Sequence, residues 1–175
     1  MRHNGGYGVT TLLDSTLEVR CVQYRREFQM PASIDPTSRR ILLHIGARYG
    51  AITMPADLGD RVRSLLLGEH LTAPVVDHPR ARRWTFITGP GQPDSIGAPA
   101  SAELFRLYAT VACSGSQVVL PSPQDERTGY RIWIEPPAPA APPPRLARVV
   151  DAALELGRAR GIGRAVSAKR GAPPR

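Results

Sequence analysis

Pro74-Val-Val-Asp-His-Pro-Arg-Ala-Arg-Arg-Trp-Thr-Phe-Ile-Thr-Gly-Pro90 is the stretch whose reading decides the fold. Val75 and Val76, and then Trp84, Phe86 and Ile87, are β-branched or aromatic runs on either side of a polar segment that contains Pro79. That pattern predicts two strands joined by a loop. The loop is cationic: Arg80, Arg82 and Arg83 fall within four positions, next to His78 and an indole. Guanidinium groups pair with phosphates, so these three arginines are candidate nucleic-acid contacts. Trp84 could stack a base, but the preferred reading packs it inward as core. Asp77 and His78 are an acid and a base side by side, yet neighbours on a strand point to opposite faces, so a strand-end turn is preferred to a shared site.

Upstream, residues 1–16 hold Gly5, Gly6 and Gly8 and read as a flexible lead-in. Leu17, Val19, Cys21 and Gln23 alternate imperfectly with Glu18, Arg20, Val22 and Tyr24, which predicts an early strand. Pro31 to Ser38 breaks it. Ile41 to Ile45 and Ala51 to Met54 read as strands forming a hairpin across Gly46 to Tyr49. Pro55 suits a first helical position, Asp57 adds first-turn negative charge, and Leu58, Val62, Leu65 and Leu66 share a helix face that should end near Gly68.

Downstream, Gly89 to Pro99 is rich in breakers and reads as loop. Ser101 is a candidate cap for a short helix carrying Leu104, Phe105 and Tyr108. Thr110 to Cys113, Gln117 to Leu120 and Tyr130 to Ile134 are further strands. The first two are expected to form a tight hairpin over Ser114-Gly115-Ser116, the last two to be joined by a polar link. Pro136 to Pro144 reads as a polyproline II spacer. Beyond it Leu146, Val149, Val150, Ala153, Leu154 and Gly157 lie on one helix face, which docks on the sheet or on a partner. No acid follows Glu155, and residues 161–175 read as a disordered basic tail holding Lys169 and Arg170 as further anion contacts. The layout is therefore a lead-in (1–16), a domain (17–135), a linker (136–144), an amphipathic helix (145–160) and a tail (161–175). The fold class is α+β, a largely antiparallel sheet with one or two packed helices and a C-terminal helix after the Pro-rich linker.

The 175 residues carry a formal net charge of +8, which favours polyanionic partners, although arginine-rich usage from a GC-rich genome produces the same balance. Aromatics are only 6% of the chain, so the core must be aliphatic. Cys21 and Cys113 give neither a disulfide framework nor metal spacing, and Cys113 reads as buried at a strand end. A reducing cytoplasm is the expected compartment, with no membrane span and no export signal. His44, His70 and His78 lack metal-ligand spacing, and Asp57 with Asp60 read as helix-dipole partners. The Gly89 to Gly97 loop lacks the Lys-Ser/Thr of a phosphate-binding P-loop. No cofactor and no small-molecule ligand is expected.

Pro74-Val-Val76, Arg83-Trp-Thr-Phe-Ile87, Gln117-Val-Val-Leu-Pro-Ser-Pro123 and Gly129-Tyr-Arg-Ile-Trp133 together resemble the latter part of bacterial bifunctional primase/polymerase domains of the archaeo-eukaryotic primase type, over roughly residues 50–135. The resemblance implies an Asp-x-Asp pair on an early strand and a His on a second, holding metal and nucleotide for phosphoryl transfer. Here the first strand reads Gly50-Ala-Ile-Thr-Met54 and the second Trp84-Thr-Phe86, without those groups. The implied protein is a degenerate, non-catalytic relative that binds nucleic acid or assists a nucleic-acid enzyme. Two alternatives remain: an adaptor that engages a protein partner through residues 136–160, and an active metal-dependent nucleotidyltransferase.

Overall fold

The computed structural model describes residues 16–91, 95–139 and 141–170; the lead-in up to Ser15 and the last five residues of the tail fall outside them. The fold is α+β. Strands β4 (Val75–His78) and β5 (Arg83–Thr88) form the expected antiparallel hairpin around a 3-10 turn, Pro79–Ala81, with Val75 opposite Phe86 and Val76 opposite Thr85. Val75, Val76, Phe86 and Ile87 are all 0% exposed, so this pair is covered on both faces, which is why its apolar runs are continuous instead of alternating.

Around the hairpin stands a five-stranded sheet, β6-β3-β5-β4-β8, with β3 at Gly50–Pro55, β6 at Thr110–Val111 and β8 at Ile132–Glu135. A second sheet has the order β1-β2-β7, from Ala32–Ile34, Ile41–His44 and Gln117–Leu120. Every strand pairing in both sheets is antiparallel.

Helices α2 (Ala56–Gly68), α3 (Ala98–Arg106) and α5 (Leu146–Arg170) cover one face of the larger sheet. Leu58, Val62 and Leu66 of α2 join Ile52, Met54, Phe86, Leu146 and Val149 in one core. The smaller sheet and α1 (Leu17–Arg26) cover the other face, where Ile41, Leu43 and Leu120 meet Ala51, Ile87 and Trp133. Each large apolar side chain buried in these layers contributes about 1.5–3 kcal/mol.

Several expectations are corrected. Leu17 to Tyr24 is helix, not strand. Thr16 caps it by accepting from Val19 N at 3.3 Å, and Leu17, Cys21, Tyr24 and Phe28 recur at helical spacing toward the core, while Val19 and Val22 are exposed. The two short turns do reverse the chain, but they do not make hairpins. Gly46 N donates to Tyr49 O at 3.0 Å, yet β2 belongs to the smaller sheet and β3 to the larger. Likewise β6 and β7 separate across Ser114-Gly115-Ser116. The two crossings are tied together, because Ile45 N donates to Ser116 O (3.0 Å) and Gly115 N to Ile45 O (2.9 Å).

Pro55 is the cap residue of α2, ending β3, rather than its first helical residue. Ser101 lies inside α3, whose cap is Gly97. The link from Pro121 to Gly129 contains α4 (Pro123–Thr128), started by a reciprocal capping box between Ser122 and Asp125. The Pro-rich segment does not stand off the domain. Pro137 and Pro144 are buried, and Pro144 O accepts from Gly89 N at 2.8 Å, delivering α5 onto the larger sheet. The basic tail continues α5 as helix to Arg170. Among the described residues, no helix is long and apolar enough to cross a membrane.

Candidate phosphate-binding cleft

Strand alternation places Thr53, Thr85 and His78 on the face of the larger sheet that looks toward the smaller one. Opposite them lie Gln117, Val118 and Val119 of β7, and between the two a cleft of about 370 Å³ opens. Its remaining wall comes from the β4–β5 turn (Arg80, Ala81), from Arg83, and from Tyr130 and Arg131 at the entry to β8.

Neutral groups form its floor. The Thr53 and Thr85 hydroxyls are 2.8 Å apart, and His78 Nε2 lies 2.9 Å from Thr85 Oγ1. Burial, reinforced by the Arg131 and Arg83 charges, pushes His78 down to about 4, so the imidazole is uncharged at neutral pH. The adjacent Asp77 faces the helix layer, opposite Trp84 in register, and burial raises its carboxyl. The two residues therefore serve different faces. Trp84 itself packs inward against Gly59, as expected of a core residue.

The walls are cationic. Arg83 Nη2 donates to the Tyr108 carbonyl at 2.7 Å and to the Thr53 carbonyl at 3.2 Å, which fixes its guanidinium at the cleft edge. Arg131 is 6% exposed; its Nη1 donates to Asp125 Oδ2 at 3.2 Å, and its buried Nε has no partner among the described residues. That Asp125 oxygen is shared with the Ser122 amide and hydroxyl. Arg80 Cζ and Arg131 Cζ lie 4.9 Å and 5.3 Å from the centre of the same Tyr130 ring. Both guanidinium groups therefore approach one aromatic ring within cation–π range, and Arg131 is also paired with Asp125.

Of the arginines singled out in the sequence, Arg80 and Arg83 line the cleft. Arg82 does not. It is exposed in the left-handed region (φ 52°), and its carbonyl accepts from Ala56 N at 3.0 Å at the start of α2. Lys169 and Arg170 sit at the end of α5, past the last side chains that the structure describes. Arg131, Tyr130 and His78 were not singled out as anion contacts. The only sequence signal for Arg131 was a charged residue inside the expected strand Tyr130 to Ile134, which begins instead at Ile132, and such a residue is normally solvated.

His44 bonds Ser33 Oγ at 2.7 Å on the surface and His70 occupies the turn after α2, both apart from His78. Asp57 and Asp60 are exposed on the first turns of α2. Cys113 is exposed, contrary to expectation, because β6 ends at Val111 and leaves it in the sheet-crossing turn; Cys21 is buried. Among the described residues, no group of three or more His, Cys, Asp or Glu side chains is placed to hold a metal ion. No family model, no curated protein and no solved structure matches the chain.

Proposed function

We propose that this protein binds the phosphate backbone of nucleic acid in the cleft between its sheets, as a non-catalytic partner of nucleic-acid metabolism. One observation carries the reading: Arg80, Arg83 and Arg131 line one cleft together with the Thr53 and Thr85 hydroxyls, and among the described residues no carboxylate lines it. Hydrogen bonds from a guanidinium to a phosphate oxygen are charge-assisted and about twice as strong as neutral ones. Arg20 and Arg63 share with Arg131 both an unpartnered Nε and a carboxylate partner, Glu126 and Glu135 against Asp125, but they do not line this cleft.

Metal-assisted phosphoryl transfer needs carboxylates at the reacting phosphate. The cleft supplies arginines and neutral hydroxyls instead, so retention of a phosphate is better supported than its transfer. An adaptor built on Pro136 to Pro144 and α5 is less favoured, since Leu146, Val149, Ala153 and Leu154 are already buried in the protein's own core.

Binding of single-stranded and duplex DNA measured across salt tests the proposal. Log affinity should fall linearly with log salt, and Arg80→Ala should make the slope shallower by about one unit. Arg82→Ala, outside the cleft, should change it less. Absence of binding at low ionic strength, an equal effect of the two substitutions, or nucleotide incorporation by the purified protein would overturn the reading.

A further inference from the structure

The last turn of α3 turns its aliphatic residues inward and its aromatic residues out. Leu104 is buried, and Leu107 packs so closely on α5 that a Cβ at Gly157 would lie 2.5 Å from Leu107 Cδ1. Phe105 and Tyr108, by contrast, are 81% and 74% exposed, with exposed Arg106 between them. In a chain with so few aromatic residues, two large rings are held where they add nothing to the core. Tyr108 N donates to Phe105 O at 3.0 Å, and Tyr108 takes a positive φ of 55°, which a bulky side chain rarely adopts.

This pair is joined to the cleft. Arg83 Nη2, at the cleft edge, is the group that holds the Tyr108 carbonyl at 2.7 Å. Arg83 and Arg106 adjoin the pair, and the other large hydrophobic residues exposed in the described chain are Val19, Val22, Leu67 and Tyr130, none of them on α3. Arginine and aromatic residues are also enriched at protein–protein interfaces, but among the described residues no further exposed large hydrophobic side chain lies on α3 to give such an interface its apolar centre. Aromatic faces among guanidinium groups instead suit unpaired bases, whose π-faces stack on the rings while the backbone follows the arginines.

We infer that Phe105 and Tyr108 form a stacking platform for the bases of single-stranded nucleic acid whose phosphates occupy the neighbouring cleft. This rests on the cleft reading above and adds selectivity for single strands, since duplex bases are already stacked on one another.

The test uses the full chain and three probes of equal length: a base-bearing single-stranded oligonucleotide, its abasic counterpart with the same phosphates, and a duplex. Wild-type protein should bind the base-bearing strand at least tenfold more tightly than the abasic one. Phe105→Ala with Tyr108→Ala should bring the base-bearing strand down to the abasic level and leave abasic binding and its salt slope unchanged. A Phe105→Trp variant should show fluorescence quenching by the base-bearing strand and none by the abasic one. Equal wild-type affinity for the two strands, or no loss in the double variant, overturns the stacking platform, keeps the cleft reading and leaves the rings to a protein partner. Absence of binding to every probe overturns both. Running the base-bearing arm as DNA and as RNA identifies the sugar, and tighter binding of either than of its abasic counterpart supports the inference.

Discussion

Trp133 Nε1 donates to the Tyr24 hydroxyl at 2.9 Å, and that hydroxyl donates in turn to the Pro121 carbonyl at 2.8 Å. Three separate pieces meet at one oxygen: β8 of the larger sheet, α1, and the exit of β7 from the smaller sheet. The rings also meet edge to face, 6.0 Å apart at 66°. Burial pushes the phenol up to about 12, so it keeps its proton and remains a donor throughout the range in which the protein would be handled. The contact ties β8 of the larger sheet to α1 and to the exit of β7 from the smaller sheet.

Tyr24→Phe removes both bonds and leaves the indole N–H without its partner. Stability should fall by about 1–3 kcal/mol, read as a lower urea midpoint at unchanged denaturant slope. Tyr24→Phe with Trp133→Phe should cost less than the sum of the two single changes, because both groups then leave the interaction together. Strictly additive losses would show that the hydroxyl does not couple the sheets.

Gly59 and Gly68 lie on the same helix and should respond in opposite directions. A Cβ at Gly59 would stand 2.9 Å from Trp84 Cε3 and 3.1 Å from Trp84 Cβ, so α2 would have to move off β5. Overpacking costs about 1–3 kcal/mol and helix propensity returns about 1 kcal/mol. Gly59→Ala should therefore destabilise, with a changed tryptophan emission maximum. At Gly68 nothing lies within 4 Å, and Gly68→Ala should stabilise by about 0.4–1 kcal/mol. Thermal melts of the two variants check both signs.

His78 predicts an acid-side loss of stability. Its folded value of about 4 lies below the ordinary imidazole value of 6.5, so between these values this side chain binds more protons in the unfolded chain than in the native one. Its contribution is whole above about 6.5, declines as pH falls and is lost by about 4. Glu18, Asp35, Glu69 and Glu103 have lowered carboxyl values, so their losses come below 4.5 and do not fill the same window. Urea midpoints measured from pH 7 to 4.5 should fall for the wild type and stay flatter for His78→Gln, which can still reach Thr85. Parallel curves would place the titration elsewhere.

The parts legible in the sequence are those in which local spacing and burial agree. The hairpin of β4 and β5 and the α2 helix need only near neighbours: a turn flanked by apolar runs, and Leu58, Val62 and Leu66 at helical intervals. For α1 two periods competed. Val19 supported the alternating pattern, Val22 broke it, and the cap at Thr16 was the cue for the other. The capping box at Ser122 and Asp125 was likewise written in the chain, under prolines that read as breakers.

What the sequence by itself determined is the fold class, the central hairpin, the main helix and an excess of positive charge, because these depend on residue types and short-range spacing. Only the tertiary structure decided where the sheets divide, since a turn such as Gly46 to Tyr49 specifies that the chain reverses and not which sheet receives the next strand. It also sorted the arginines. Arg80 and Arg82 are two positions apart, yet the 3-10 turn sends one into the cleft and leaves the other outside it, and Arg131, distant in sequence, approaches the same Tyr130 ring as Arg80. The +8 charge is a property of the chain, whereas the grouping of Arg80, Arg83 and Arg131 around one cleft arises only when the two sheets pack face to face.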